Sequence, residues 1–391
     1  MKTINNFSNS ILIIDDNSEN LRVLSNILKP EGYKIRIATN GEQTLKSVVS
    51  TPPDLILLYI LMPKMNGYEI CERLKKDEST KEIPVIFLSA LDDIQDKLKG
   101  FAVGGVDYIT KPFQTEEVLA RVRTHLELKK SKEELHNSYI IIKKQKQQIE
   151  YDLKQAKQTQ LALFPKSLPN IPRVRISYKY IPIRQIGGDY YDIIELGDGK
   201  YGIMVGDATG HDISAALITF MISGIFKNAI KKTHSTEVTL QNINQDLYLQ
   251  IPEGKFSTMF YGIYDSVDQT LLYTSAAHPS GILIRKKTQE IIELNTYGSL
   301  LGVFSNQESN FTEEKVQLFT GDKIIIYTDA LIEVLNESGE MIDFAQFSEF
   351  FQNNSGETLE QLLDNLINYS ISFSQSGRLE DDCTIIGMEL F

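Results

Sequence analysis

From Ile11 to about Leu126, short apolar runs alternate with stretches whose apolar residues recur at helical spacing. Ile11 to Ile14, Lys34 to Thr39, Leu55 to Ile60, Pro84 to Ser89 and Asp107 to Thr110 read as strands, and helical periodicity begins near Glu19, Gly41, Asn66, Asp92 and Thr115. Nearly continuous apolar strands are strands covered on both faces, so five such units predict a doubly wound, five-stranded parallel sheet. Ligands of such sheets bind at the carboxyl ends of the strands. Those ends carry Asp15, Asp16, Tyr59, Ser89 and Lys111.

A polar, helix-prone stretch follows, roughly Val122 to Leu163, with no proline or glycine before Pro165. An apolar residue returns at every seventh position: Leu128, Leu135, Ile142, Ile149, Ala156 and Leu163. The companion seam position is irregular, holding Lys132, Tyr139, Lys146, Leu153 and Gln160. One regular seam position on so long a helix predicts a two-stranded coiled coil and hence a homodimer; the alternative is a single helix lying against its own domain. Pro165 ends the run, because proline breaks helical geometry and restricts the residue before it.

Beyond Pro165 the texture changes. Val174 to Tyr180, Tyr201 to Val205, Phe260 to Tyr264, Thr270 to Ser275, Ile282 to Arg285 and Lys323 to Tyr327 read as strands; Ile213 to Lys231, Val238 to Gln250 and Leu359 to Tyr369 read as helices. Strands and helices grouped in blocks predict an α+β sandwich. Four acidic motifs adjoin its apolar runs: Gly187-Gly188-Asp189, Gly206-Asp207, Thr328-Asp329 and Asp381-Asp382. Carboxylates at strand ends, beside glycines that let backbone or ligand come close, suit a shared hard-cation site. If they converge, they repel one another unless cations neutralise them.

Composition narrows the partners. A formal charge of -12 over 391 residues argues against sequence-independent nucleic-acid binding. Two cysteines, Cys71 and Cys383, make no disulfide framework and no metal-ligand spacing. No apolar run approaches the ~20 residues of a membrane span, and Met1 to Ser10 lacks the apolar core of a signal peptide, so a cytoplasmic protein with no membrane contact is expected.

The N-terminal stretches IIDDN, PDLILLYILMPKMNGYE, VIFLSA and DYITKPF resemble a two-component response-regulator receiver of flavodoxin-like fold. The resemblance implies that the acidic pair Asp15 and Asp16 holds Mg²⁺, that Ser89 and Lys111 contact a phosphoryl group, and that the residue at position 59 accepts it. Here that residue is Tyr59, whose phenol is neutral at pH 7 and a poor phosphoryl acceptor. A pseudo-receiver outside aspartyl phosphotransfer is therefore expected, with Mg²⁺ binding in doubt. Tyr108 matches the family's switch aromatic, or is a half-exposed strand tyrosine.

From Gln158 to Phe391, QTQLALFP, IPIRQIGGDYYD, YGIMVGDATGHDISAAL, AAHPSGILI, IIYTDALIE and EDDCTIIGMEL resemble a bacterial serine/threonine phosphatase of the sporulation stage II E type, a branch of the metal-dependent type 2C phosphatases. The resemblance implies two β-sheets flanked by helices, two Mn²⁺ or Mg²⁺ ions, and hydrolysis of phosphoserine or phosphothreonine on a regulatory protein such as a STAS-like anti-sigma-factor antagonist. Asp207 matches the bridging ligand, and Asp189, Asp329 and Asp381 the terminal ones, with Asp382 second to Asp381. It also offers Arg184 as a phosphate clamp, the alternative being a solvated strand-edge arginine, and His211 as a leaving-group acid, the alternative being a helix cap or a water-facing side chain; Asp192 and Glu333 are weaker candidates whose alternative is a solvent-facing acid, and His278 is read as structural. The chain departs from the family where Ala330 and Asp212 replace glycines, which implies strain if either position needs a positive φ, and where Ser275-Ala276-Ala277-His278-Pro279 replaces Asn-Ala-Gly-His-Pro. The expected organisation is a receiver-like domain at residues 1–125, a coiled-coil connector at 126–164 and the phosphatase domain at 165–391. The alternative is a non-catalytic dimeric scaffold with both domains degenerate.

Overall fold

The computed structural model describes residues 9–89, 94–210 and 212–391. They fall into two compact units, Met1–Lys146 and Gln147–Phe391.

In the first unit β1 (Ser10–Ile14), β2 (Lys34–Ala38), β3 (Leu55–Tyr59), β4 (Val85–Ser89) and β5 (Asp107–Thr110) pair in parallel in the order β2-β1-β3-β4-β5. Burial on both faces explains the unbroken apolar runs. Ile11 and Ile13 share a core with Leu21, Leu24, Val118 and Val122, whereas Leu12 and Ile14 point to the opposite core with Val48, Ile70 and Leu74. The covering helices are α1 (Ser18–Leu28), α2 (Gly41–Ser50), α3 (Gly67–Lys76), α4 (Ile94–Ala102) and the first turns of α5 (Thr115–Leu161). Asparagine caps start the first three: Asn17, Asn40 and Asn66 each accept a backbone N–H of the first turn. The expected helix start near Asp92 lies outside the described residues.

The second unit holds β6 (Val174–Ile181), β7 (Asp189–Gly197), β8 (Lys200–Ala208), β9 (Ser257–Asp265), β10 (Thr270–Ala276), β11 (Gly281–Ile284), β12 (Ile291–Leu294), β13 (Glu314–Gln317), β14 (Lys323–Tyr327) and β15 (Cys383–Leu390). They form two antiparallel sheets, β13-β10-β9-β8-β7 and β12-β11-β14-β15-β6. Period-two alternation makes the sandwich: Ile324 and Ile326 of β14, with Ile386 and Met388 of β15, enter the core shared with β7 to β10. Ile325, Tyr327 and Ile385 instead meet helices α8 (Phe344–Asn354) and α9 (Leu359–Phe373). On the other sheet lie α6 (Ile213–Ala229) and α7 (Thr236–Tyr248).

No helix among the described residues is long and apolar enough to cross a membrane.

Candidate functional site

The acidic motifs meet where β7 and β8 run side by side. Asp189 opens β7 and is the register partner of Asp207 near the end of β8. Asp189 is buried, and one of its oxygens accepts hydrogen bonds from the hydroxyls of Thr328 at 3.0 Å and Thr384 at 2.6 Å. These threonines are themselves locked together, since the Thr384 N–H donates to the Thr328 hydroxyl and the Thr328 N–H to the Thr384 carbonyl. Thr328 directly follows β14 and Thr384 is the second residue of β15, so the second sheet props a carboxylate of the first.

The glycines are required by proximity. A Cβ on Gly188 would lie 2.7 Å from the Ala208 carbonyl oxygen and 3.2 Å from Asp207 Oδ1; one on Gly187 would lie 2.8 Å from Asp382 Oδ2. Asp382 is buried and grips the loop that carries them, accepting the N–H of Ile183 and of Gly188, each at 2.7 Å. Its part is therefore to shape the loop between β6 and β7, while Asp381 beside it is only partly buried. Arg184 is exposed within that loop.

Electrostatics tie the cluster together. Burial, then the charge of Asp207, holds the Asp189 carboxyl well above the usual range. Burial raises Asp207 to about 8, with Asp329 and Asp381 adding repulsion. Asp329, in the short 3-10 turn after β14, is pushed up to about 6 by burial, then by Glu333 and Asp381. Among the described residues no three such side chains already surround one point at ligand spacing. By chemistry the group fits a hard divalent cation: every donor is an oxygen, and the ionised forms are disfavoured by one another and by burial.

The remaining candidates separate. His211 lies outside the described residues. Asp212 caps α6, accepting the Ala215 N–H with φ at -108°, and Ala330 is not among the residues with positive φ, so neither glycine replacement carries the strain it threatened. Asp192 is neither a surface acid nor part of the cluster: it is buried, accepts the Tyr190 hydroxyl at 2.8 Å and sits 3.4 Å from Lys227. Glu333 is exposed and acts on Asp329 through its charge. His278 is buried with its Nδ1 2.8 Å from the Thr258 hydroxyl, and burial drives its pKa down to about 3, so it is neutral. Thr258 is the register partner of Asp207 on β9. Ala277, in the preceding turn, has φ of 50°, a left-handed conformation that favours glycine.

Three contributions were not visible beforehand: the threonine pair Thr328 and Thr384, the loop grip of Asp382, and Gln160, whose side-chain amide bonds both the N–H and the carbonyl of Gly187. The threonines occur within the quoted motifs, but their bonds span 139 and 195 residues, beyond any local signal.

In the first unit Asp15 is buried at the end of β1, bonded to the Asn17 N–H and the Asn20 amide, with its carboxyl raised mainly by burial. Asp16 beside it is exposed, and Ser89 is buried at the end of β4. Lys111 Nζ lies 3.7 Å from Asp15 and 3.8 Å from the centroid of the Tyr59 ring. Tyr59 thus supplies a π face to the lysine where the resemblance implies a carboxylate. Tyr108 is partly buried against Phe101 and below Lys97.

Comparison with known proteins matches these two assemblies separately. The family described as "Response regulator receiver domain" matches residues 11–123, and "Stage II sporulation protein E (SpoIIE)" matches residues 197–391. Among curated relatives, the DNA-binding dual master transcriptional regulator RpaA of Synechocystis sp. is 47% identical over 116 residues, 30% of this chain and 48% of the relative. A probable cyclic di-GMP phosphodiesterase of Vibrio cholerae is 41% identical over 128 residues, 33% of this chain and 29% of the relative. The chain thus spans half or less of these relatives. The SiaA-PP2C domain of Pseudomonas aeruginosa superposes with a TM-score of 0.55 at 19% identity, covering 63% of this chain and 98% of that domain, which shows the fold. The chain therefore joins a response regulator receiver domain to a domain of the stage II sporulation protein E family built on a PP2C fold.

Proposed function

We propose that this chain is a metal-dependent protein serine/threonine phosphatase that hydrolyses phosphoserine or phosphothreonine on a regulatory protein, a STAS-like anti-sigma-factor antagonist being the class implied, in the cytoplasm. The carrying observation is the buried Asp189 paired with the partly buried Asp207, on which Asp329 and Asp381 act electrostatically. Asp207, Asp189, Asp329 and Asp381 would hold two Mn²⁺ or Mg²⁺ ions. Such ions lower the pKa of bound water, orient a phosphoryl group and offset charge on the leaving oxygen.

The chain's own residues have separate tasks. Thr328 and Thr384 hold one oxygen of Asp189, and the same carboxyl shares a side-chain hydrogen bond with Asp207. Asp382 sets the loop holding Arg184, whose guanidinium suits two phosphate oxygens once substrate arrives. His278 holds the Thr258 side chain on the strand beside Asp207.

The receiver-like domain, 1–125, is a pseudo-receiver in which the Lys111 ammonium over the Tyr59 ring stands in for phosphoryl chemistry. The connector, 126–164, dimerises as a coiled coil, because Leu128, Leu135, Ile142 and Ile149 are 59%, 72%, 63% and 59% exposed in the single chain and a second copy would cover them. The phosphatase domain occupies 165–391. The test is release of a chromogenic alcohol from its phosphomonoester with and without Mn²⁺: turnover that needs the metal and vanishes in Asp207→Ala supports the reading, and its absence favours a non-catalytic scaffold.

A further inference from the structure

We infer that Gln160 is a positioning residue for the metal-site strand, the side chain through which the last turn of α5 sets the Gly187-Gly188-Asp189 segment. The inference rests on the reading of Asp189 and Asp207 as cation ligands. Gln160 is only 3% exposed, an unusual place for a primary amide, and its polar atoms are used as a clasp. Its Nε2 donates to the Gly187 carbonyl at 2.7 Å and to the Thr219 hydroxyl at 3.2 Å, and its Oε1 accepts the Gly187 N–H at 3.1 Å. Both polar groups of one backbone residue are thereby fixed by one side chain.

The next residue is held from the other side. The Gly188 N–H donates to Asp382 Oδ2, and Asp189 follows at once, paired with Asp207. Gly187 is also confined by the Tyr180 hydroxyl, 2.9 Å from where its Cβ would stand, so this peptide has little room to settle elsewhere. The connector ends against the same elements: the Phe164 ring packs tilted, its centroid 4.6 Å from that of Tyr180 and 5.0 Å from that of Tyr191, and Lys227 of α6 reaches the Leu163 carbonyl at 3.5 Å. Of these contacts only that of Gln160 reaches the backbone two residues before a ligand. Phe164 contributes packing alone, which separates positioning from stability.

Calorimetric titration of the full chain with Mn²⁺, alongside thermal melting, tests this. Gln160→Leu keeps the volume and removes the clasp, and should weaken Mn²⁺ binding about 10-fold or more, as loss of outer-shell partners does at metal sites. Phe164→Leu should lower the melting temperature while leaving the Mn²⁺ affinity within about twofold. Gln160→Glu, of the same size and polar, sets an oxygen against the Gly187 carbonyl and should weaken binding as Gln160→Leu does at pH 8, which covers failure of the leucine variant to fold. Wild-type affinity in either folded Gln160 variant overturns the inference. Absence of Mn²⁺ binding by the unaltered chain overturns the metal reading itself and the inference with it, so the two failures are told apart by the unaltered protein.

Discussion

Asp189 and Asp207 are register partners on adjacent strands, and both carboxyls are held above their ordinary range, first by burial and then by neighbouring acids. The folded protein therefore binds protons at this site more readily than the unfolded chain does. Stability without metal is greatest below the ordinary aspartate range and is lost as pH rises through about 6 for Asp329 and about 8 for Asp207. The melting temperature of EDTA-treated protein should fall by about 5 °C between pH 5.5 and 8, with Mn²⁺ stabilising more at pH 8 than at pH 5.5. Asp207→Asn removes one charge, so its metal-free form should melt higher at pH 8 while phosphatase turnover is lost. A flat metal-free pH profile would contradict the repulsion.

Ala277 gives a second prediction independent of metal. Its φ of 50° places a Cβ in the left-handed region at a cost of about 1 kcal/mol. Ala277→Gly should relieve that strain and stabilise the protein by about 0.5 kcal/mol after the added freedom of the unfolded chain is set against it. Urea unfolding monitored by circular dichroism reads the change as a higher midpoint at unchanged slope; an unchanged or lower midpoint would show that the turn tolerates alanine.

Much of the fold was legible where burial is two-sided or alternation is clean. β1 and β14 read directly from Ile11 to Ile14 and from Lys323 to Tyr327 because all but one of their residues are apolar. β7 was known as a motif but not as a strand, since Asp189, Asp192 and Glu195 interrupt its apolar run; the first two are tolerated because Thr328 with Thr384, and Tyr190 with Lys227, satisfy them from elsewhere. β12 and β13 are four-residue edge strands, both too short to signal and β13 also too polar. α8 is rich in phenylalanine and asparagine, and its clearest local sign is the reciprocal cap of Asp343 and Gln346. Of the site, the acids were legible and their roles were not: Asp382 takes its part from partners 199 and 194 residues away. Gln160 looked like a flaw in the heptad seam; its polarity follows from the Gly187 peptide it binds.

The seam supports a third prediction. Ile142 and Ile149 are exposed on a helix whose last turn carries Gln160, so a partner strand lying on the seam would restrict that turn. Ile142→Asp with Ile149→Asp should shift the protein from dimer to monomer by light scattering and change the phosphatase rate in parallel. A monomer with unaltered turnover would uncouple the connector from the site.

Tyr59 carries the last prediction. Its phenol is neutral at pH 7, and burial followed by the charges of Asp15 and Asp16 raises its pKa further, so it offers a phosphodonor neither charge nor a competent nucleophile. The Lys111 ammonium rests on its ring and beside Asp15, which leaves the lysine engaged without a phosphoryl group. Incubated with acetyl phosphate and Mg²⁺, the unaltered chain should gain no acid-labile aspartyl phosphate, whereas Tyr59→Asp restores a carboxylate at the end of β3 beside Asp15 and Lys111 and should gain one per chain by mass spectrometry. If the Lys111–Tyr59 contact holds the receiver in one conformation, Tyr59→Asp should also make the phosphatase rate respond to the donor, a response the unaltered chain lacks. A stable acyl phosphate on the unaltered protein would place the domain among conventional receivers.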